Sequence, residues 1–199
     1  MISHSDITLA VLAGGQGSRM GKAKGEIRID GRPILECLLG KLHWPGPTML
    51  VTAPGREHPP KYELFDVEVI DAVAGEGPLR GLLTALENLT TPLLAVTTVD
   101  MLGVGRAQLI WLAEQLQSRQ GALGMMCRRN AQVEPFPSAY RAEATNTVRS
   151  RLTSGRASVF GLSEQLGFET VNAPGNWDDA VWINLNSPAD VLTFLRRRV

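Results

Sequence analysis

Short runs of apolar and β-branched residues alternate along this chain with stretches whose apolar positions recur every three or four residues. The first kind, ITLAVLA (residues 7–13), TMLVTA (48–53), VEVID (67–71) and LLAVTTVD (93–100), predicts buried parallel strands. ALGMMCR (122–128), PFPSAYR (135–141) and FETVNA (168–173) predict later, weaker strands. The second kind predicts helices over PILECLLGKLH (33–43), PLRGLLTALENL (78–89), RAQLIWLAEQLQSR (106–119), ASVFGLSEQLG (157–167) and SPADVLTFLRRR (187–198). The last has a serine N-cap, a proline at its first position and arginines at its C-terminal end, where the helix dipole favours cations. This alternation predicts an open, mostly parallel Rossmann-like α/β sheet with helices on both faces, whose ligands sit beyond the carboxyl ends of the strands. No repeat or linker divides the chain, so residues 1–199 are expected to form a single domain.

Composition narrows the function more than the fold. At 199 residues and 44% hydrophobic, the chain can bury one substantial core. Twenty basic and twenty acidic side chains cancel, so no global field recruits nucleic acid or an anionic membrane, and any anion site must be local. Cys37 and Cys127 lie far apart without a clustered histidine, which argues against zinc and for reduced thiols. The opening MISHSD lacks the basic start of a signal peptide, and no apolar run approaches the roughly 20 residues that span a bilayer. A cytoplasmic protein is expected, with no membrane and no nucleic-acid partner.

Against that neutral background the stretch LAGGQGSRMGKAK (residues 12–24) stands out, because it is rich in glycine and base and follows the first predicted strand directly. The GxGxxG dinucleotide fingerprint fails at Met20, and the GxxxxGK[ST] phosphate loop fails at Gln16 and Ala23. The physics common to both motifs survives: glycines let backbone N–H groups converge on oxyanions, and Arg19, Lys22 and Lys24 add charge. A nucleoside triphosphate is the expected anion; a surface turn with solvated lysines is the plain alternative.

LAGGQGSRMGKAK followed by DGRPIL, then GPLRG (residues 77–81), VDML (99–102) and INLNSPAD (183–190), form an ordered set. In that order they resemble the molybdenum cofactor guanylyltransferases, a MobA-like nucleotidyltransferase family. The resemblance implies a nucleotide-diphospho-sugar transferase type of fold and an Mg2+-dependent enzyme. Its reaction would pass GMP from GTP to molybdopterin, the organic part of the molybdenum cofactor, and release pyrophosphate. A molybdoenzyme or its chaperone would receive the product. Ala23 and Leu102 depart from the family pattern, which has an acid before the lysine and a proline after the metal acid; AKGEI and LAGG follow the guanylyl branch. A cytidylyltransferase, or another nucleotidyltransferase with a phosphorylated small acceptor, is the alternative within the chemistry. A noncatalytic nucleotide or molybdopterin carrier is the alternative outside it, although Lys24 and Asp100 together argue for catalysis.

By the same resemblance, Lys24, Arg19 and Asp100 are the catalytic residues, with Asp100 the Mg2+ ligand. Arg19 and the backbone of Gly14, Gly15, Gln16, Gly17 and Ser18 cradle phosphates. Leu12, Ala13, Asp71, Gly77, Pro78, Leu79 and Gly81 bound the nucleoside, while Asn184 and Asn186, two apart and so on one side of an extended segment, meet the acceptor. Simpler readings stand beside several of these: Asp100 as a turn cap, Asp71 as a strand-end acid, Gly81 as a packing glycine, and one asparagine as a helix cap. Arg80 reads as solvent-facing, Asp178 and Asp179 as solvated, and Pro135 and Pro137 as pins of the cleft wall.

Overall fold

The computed structural model describes residues 3–14 and 24–197. Among them the strands are β1 (Ile7–Leu12), β2 (Arg28–Ile29), β3 (Arg32–Pro33), β4 (Thr48–Thr52), β5 (Val67–Ile70), β6 (Leu93–Thr98), β7 (Gly124–Arg129), β8 (Gln132–Arg141) and β9 (Phe168–Asn172). The α-helices are α1 (Ile34–Leu42), α2 (Gly77–Glu87), α3 (Arg106–Gln117), α4 (Thr145–Thr153) and α5 (Pro188–Arg196). Seven strands form one sheet in the order β5-β4-β1-β6-β8-β7-β9. Only β8 runs against the others, as its antiparallel pairing with both β6 and β7 requires. The mostly parallel α/β sheet expected from the pattern is therefore present.

The chain lays β1, β4 and β5 outward in one direction, then returns through α2 to place β6 on the other side of β1. That reversal is a topological switch point. Because parallel crossovers are right-handed, reversing direction puts α2 on the sheet face opposite α1, and a crevice opens beyond the carboxyl ends of β1 and β6. The two strands bordering it are nearly continuous in apolar residues because both faces are covered: every residue of β1 is buried, and β6 is buried up to Thr98. β5 corrects the expectation of a buried strand. It is the sheet edge, and Val67 and Ile70 lie 43% and 55% exposed.

Three local departures have physical causes. Residues 157–167, expected to be a helix, contain only a five-residue 3-10 turn, Phe160–Glu164. Gly161 disfavours an α-helix there, and its missing side chain admits the Arg151 guanidinium: a Cβ would lie 1.7 Å from Nη2. Conversely, α4 was not expected. Its polar TNTVRSRLT offers only Val148 and Leu152 to the core, too few to register as a periodic stripe, and α4 is held by packing on α2 and an Arg149–Glu87 ion pair at 3.0 Å. The third is the β2–β3 hairpin. Asp30 and Gly31, at φ 50° and 78°, form its two-residue turn, a conformation that Asp-Gly adopts readily.

The loop after β6 is buttressed from three directions. Lys41 of α1 donates to the carbonyl oxygens of Leu102 and Gly103 at 2.8 and 2.6 Å. The Leu185 amide donates to the Asp100 carbonyl at 2.9 Å. Gly103 lies flat against the backbone of residue 180, where a Cβ would fall 1.8 Å from the Ala180 oxygen. Met101, Leu102 and Val104 of this loop are buried.

Candidate functional site

A cavity of about 550 Å3 opens at the switch point, within the size range of small-ligand pockets. Leu12 and Gly14 bring the end of β1 to it, Thr98 and Asp100 the end of β6, and Asp71 the end of β5. Pro135 and Phe136 form the far wall. They can do so because β8 leaves its ladder there: Met126 pairs with Ser138, but Cys127 pairs with Glu134, so residues 135–137 bulge out of register. Proline has no N–H to give the ladder, and two of these three residues are proline.

Lys24 enters at the start of the 3-10 turn Lys24–Glu26. Its ammonium forms an ion pair with Asp100 Oδ2 and donates to Asn186 Oδ1 at 2.7 Å. Three residues from the beginning, middle and end of the chain thus meet at one point. Asp100 is only 3% exposed, a position a carboxylate tolerates when a cation compensates it. Asn184 lines the cavity beside them, and buried Leu185 anchors both asparagines between its neighbours. Their segment is irregular rather than a strand. Neither asparagine caps α5, because Ser187 is the N-cap and its hydroxyl and the Asn186 amide both donate to Asp190 Oδ2, at 2.8 and 3.0 Å.

Asp71 follows β5 and its amide donates to the Thr52 carbonyl at 2.8 Å, but its side chain faces the cavity. Oδ1 is buried without a hydrogen-bond partner among the described residues. Burial raises its pKa above the ordinary carboxylate value; the Thr84 hydroxyl and Arg80 pull it down, and Glu76 pushes it up again. A side chain on Gly14 would press on this group, with a Cβ 3.5 Å from Asp71 Oδ2 and 3.4 Å from the Ala53 amide nitrogen.

The other expected residues divide. Gly77, at φ +72°, needs the left-handed freedom of glycine and lines the cavity with Pro78. Gly81 also lines it, yet a Cβ there would meet Leu12 Cδ2 at 3.4 Å, so close packing of α2 on β1 already requires a small residue. Leu79 is fully buried in the core, and Ala13 is buried with its amide bonded to the Val51 carbonyl; neither lines the cavity. Gly15, Gln16, Gly17, Ser18 and Arg19 lie outside the described residues. Asp178 caps the turn Asp179–Trp182, while Asp179 pairs with Arg129 at 2.6 Å, away from the cavity. Sequence reasoning missed Arg56 and Glu76, both on the cavity wall, and misjudged Arg80, whose side chain is 18% exposed and paired with Glu76. A basic residue just after β4 and an acid just before GPLRG were the available signals.

Residues 9–166 match the model of the MobA-like NTP transferase domain. The chain belongs to that family. Similar curated proteins include a probable molybdenum cofactor guanylyltransferase of Opitutus terrae, 28% identical over 190 residues and 91% of each chain. Another, of Carboxydothermus hydrogenoformans, is 26% identical over 96% of each chain. Among solved structures, the molybdopterin-guanine dinucleotide biosynthesis protein A of Archaeoglobus fulgidus superposes with a TM-score of 0.79 at 22% identity, over 96% of this chain and 100% of its own. A 2-C-methyl-D-erythritol 4-phosphate cytidylyltransferase of Thermus thermophilus shares the fold at a TM-score of 0.64 and 16% identity. The chain is thus a MobA-like NTP transferase domain, with GPLRG at the start of α2 and Asp100 just after the end of β6. Leu102 occupies the family's proline position, and the rigidity of that loop comes instead from Lys41, Gly103 and Leu185. Among the described residues no helix is long and apolar enough to cross a membrane.

Proposed function

We propose that this chain transfers GMP from GTP to the terminal phosphate of molybdopterin in the molybdenum cofactor, releasing pyrophosphate and forming the guanine dinucleotide. The observation that carries the reading is the meeting of Lys24 and Asp100, both on the wall of a nucleotide-sized cavity, with Asn186, and the names of the relatives support its direction. An oxygen of the acceptor phosphate attacks the α-phosphorus; the bond from that phosphorus to the β-bridging oxygen breaks, and the electron pair leaves with pyrophosphate. The nucleophile is already an anion, so no general base is required, and catalysis consists of alignment and charge neutralisation. Lys24 has three N–H donors. Two point to Asp100 and Asn186, and the third can meet an oxygen of the α-phosphate, where negative charge must be held as the acceptor approaches. Asn184 and Asn186 orient the acceptor from the α5 side, and Arg19 with the glycine-rich backbone carries the outer phosphates.

The donor set fits magnesium, which takes one or two carboxylates and completes its octahedron with phosphate oxygens and water. Asp100 would hold it from the cavity wall. When bound there, such an ion would supply neutralisation of the negative charge on the phosphates. Magnesium-dependent formation of the guanine dinucleotide from GTP and molybdopterin by the purified chain, followed by chromatography, tests the proposal. Product from CTP rather than GTP would move the chain to the cytidylyl chemistry. Nucleotide binding without product, unchanged in Lys24→Ala, would make it a carrier.

A further inference from the structure

Glu76 is the N-cap residue of α2, where a side chain ordinarily accepts from a free helix N–H; it makes no such bond. Its carboxylate is held by Arg80, one turn on, whose Nε donates to Oε2 at 2.6 Å and whose Nη2 lies 2.5 Å from the same oxygen. Both prongs of the guanidinium fall on Oε2, and Glu76 shares the cavity wall with Asp71 and Gly77. Arg80 itself is mostly buried and is not among the residues lining the cavity. The result is an acceptor-only group on the cavity wall, held by an ion pair one helical turn away.

We propose that Glu76 selects the base by accepting hydrogen bonds from the N1–H and 2-amino group of guanine, with Arg80 as its positioning residue. This rests on the GTP reading and names the group that would enforce it. Guanine alone among the common bases presents two adjacent donors on its Watson–Crick edge, and a carboxylate can accept both. Adenine and cytosine each offer one amino group beside an unprotonated ring nitrogen, whose lone pair opposes a carboxylate. Uracil offers a single N–H between two carbonyls. An i,i+4 ion pair on an exposed helix would stabilise α2 equally well whichever nucleotide was bound, so nucleotide preference separates recognition from helix support.

ITP differs from GTP only in lacking the 2-amino group. Dissociation constants for GTP, ITP and CTP are measured by calorimetry with Mg2+ on the full chain, and those for GTP and ITP also on Glu76→Ala, Glu76→Gln, Arg80→Ala and Asp71→Asn. The wild type is expected to favour GTP by about 10- to 100-fold, the range for hydrogen bonds to a charged group. Glu76→Ala should bring that ratio to within about twofold, Glu76→Gln should lower it while preserving side-chain volume, and Arg80→Ala should fall between. If Glu76→Ala fails to fold, Glu76→Gln carries the comparison. A GTP/ITP ratio unchanged in the Glu76 variants, or lost only in Asp71→Asn, overturns the inference while leaving the GTP reading intact. Tighter wild-type binding of CTP than of GTP overturns that reading, and this one with it.

Discussion

Replacing Gly103 with alanine should damage the site without touching any residue assigned to it. A Cβ at this position would lie 1.8 Å from the Ala180 carbonyl oxygen, 2.3 Å from the Ala180 carbonyl carbon and 2.8 Å from the Val181 nitrogen. These are backbone atoms, so no rotamer change relieves the clash, and restoring an ordinary contact of about 3.4 Å means moving one strand of chain by more than an ångström. The segment displaced leads to the Leu185 amide, whose bond to Asp100 sets the register of Asn184 and Asn186. Overpacking of this kind typically costs 1–3 kcal/mol, and the upper end, about 3 kcal/mol, applies where backbone must shift. In a chain of this length that corresponds to a fall in Tm of roughly 6–12 °C. Differential scanning calorimetry measures it against Gly40→Ala, a matched control in the interior of α1 where a Cβ has nothing within 4 Å and should gain about 0.5–1 kcal/mol from helix propensity. Nucleotide-induced stabilisation should weaken in Gly103→Ala and persist in Gly40→Ala. A Gly103→Ala protein that melts within about 2 °C of wild type, a small fraction of the expected fall, would refute the reasoning.

Lys24→Ala should lower turnover by about 10²- to 10³-fold, the usual effect of removing one donor aimed at developing charge, measured as pyrophosphate release at saturating nucleotide. Asp71→Asn should stabilise the unliganded protein in a pH-dependent way. The folded pKa of Asp71 is raised above its ordinary value of 3.8 by burial, so the unfolded chain ionises first and wild-type stability falls as pH rises from about that value through the folded pKa. The variant escapes this loss, so its Tm advantage should be absent near pH 3 and present at pH 7, and an equal difference at both would contradict the assignment. Cys127, fully buried and with its thiol pushed up to about 12 by burial and then by the Glu134 charge, should resist a thiol reagent at pH 8 until the protein is unfolded; rapid native labelling at that position would count against its placement.

Much of the architecture was legible because it rests on signals that are local. The apolar runs of β1, β4 and β6 announce strands covered on both faces, and the capped start of α5 appears directly as Ser187 and Pro188. LAGGQGSRMGKAK, GPLRG and INLNSPAD likewise declare a phosphate-handling family, because glycine and lysine chemistry is written in adjacent residues. What could not be read locally was decided by packing. Val67 and Ile70 carry the same β-branched pattern as interior strands, and only the order of the sheet makes β5 an edge. The polar α4 is a helix because α2 and Glu87 meet it, while residues 157–167 lose theirs because Arg151 occupies the space over Gly161.

The site divides in the same way. The sequence by itself determined which groups were available: one lysine after the glycine-rich loop, one acid after β6, two asparagines before α5. Lys24 reaches Asp100 across 76 positions and Asn186 across 162, and no periodicity extends over such distances. The tertiary structure decided that they meet, by reversing the chain at β1 and β6 and bracing the Asp100 loop against Lys41, Ala180 and Leu185. It also turned Arg80 from an expected surface residue into the partner that orients Glu76. The physical reason is that residue chemistry is covalent and therefore local, whereas the direction and burial of a side chain are properties of everything packed around it.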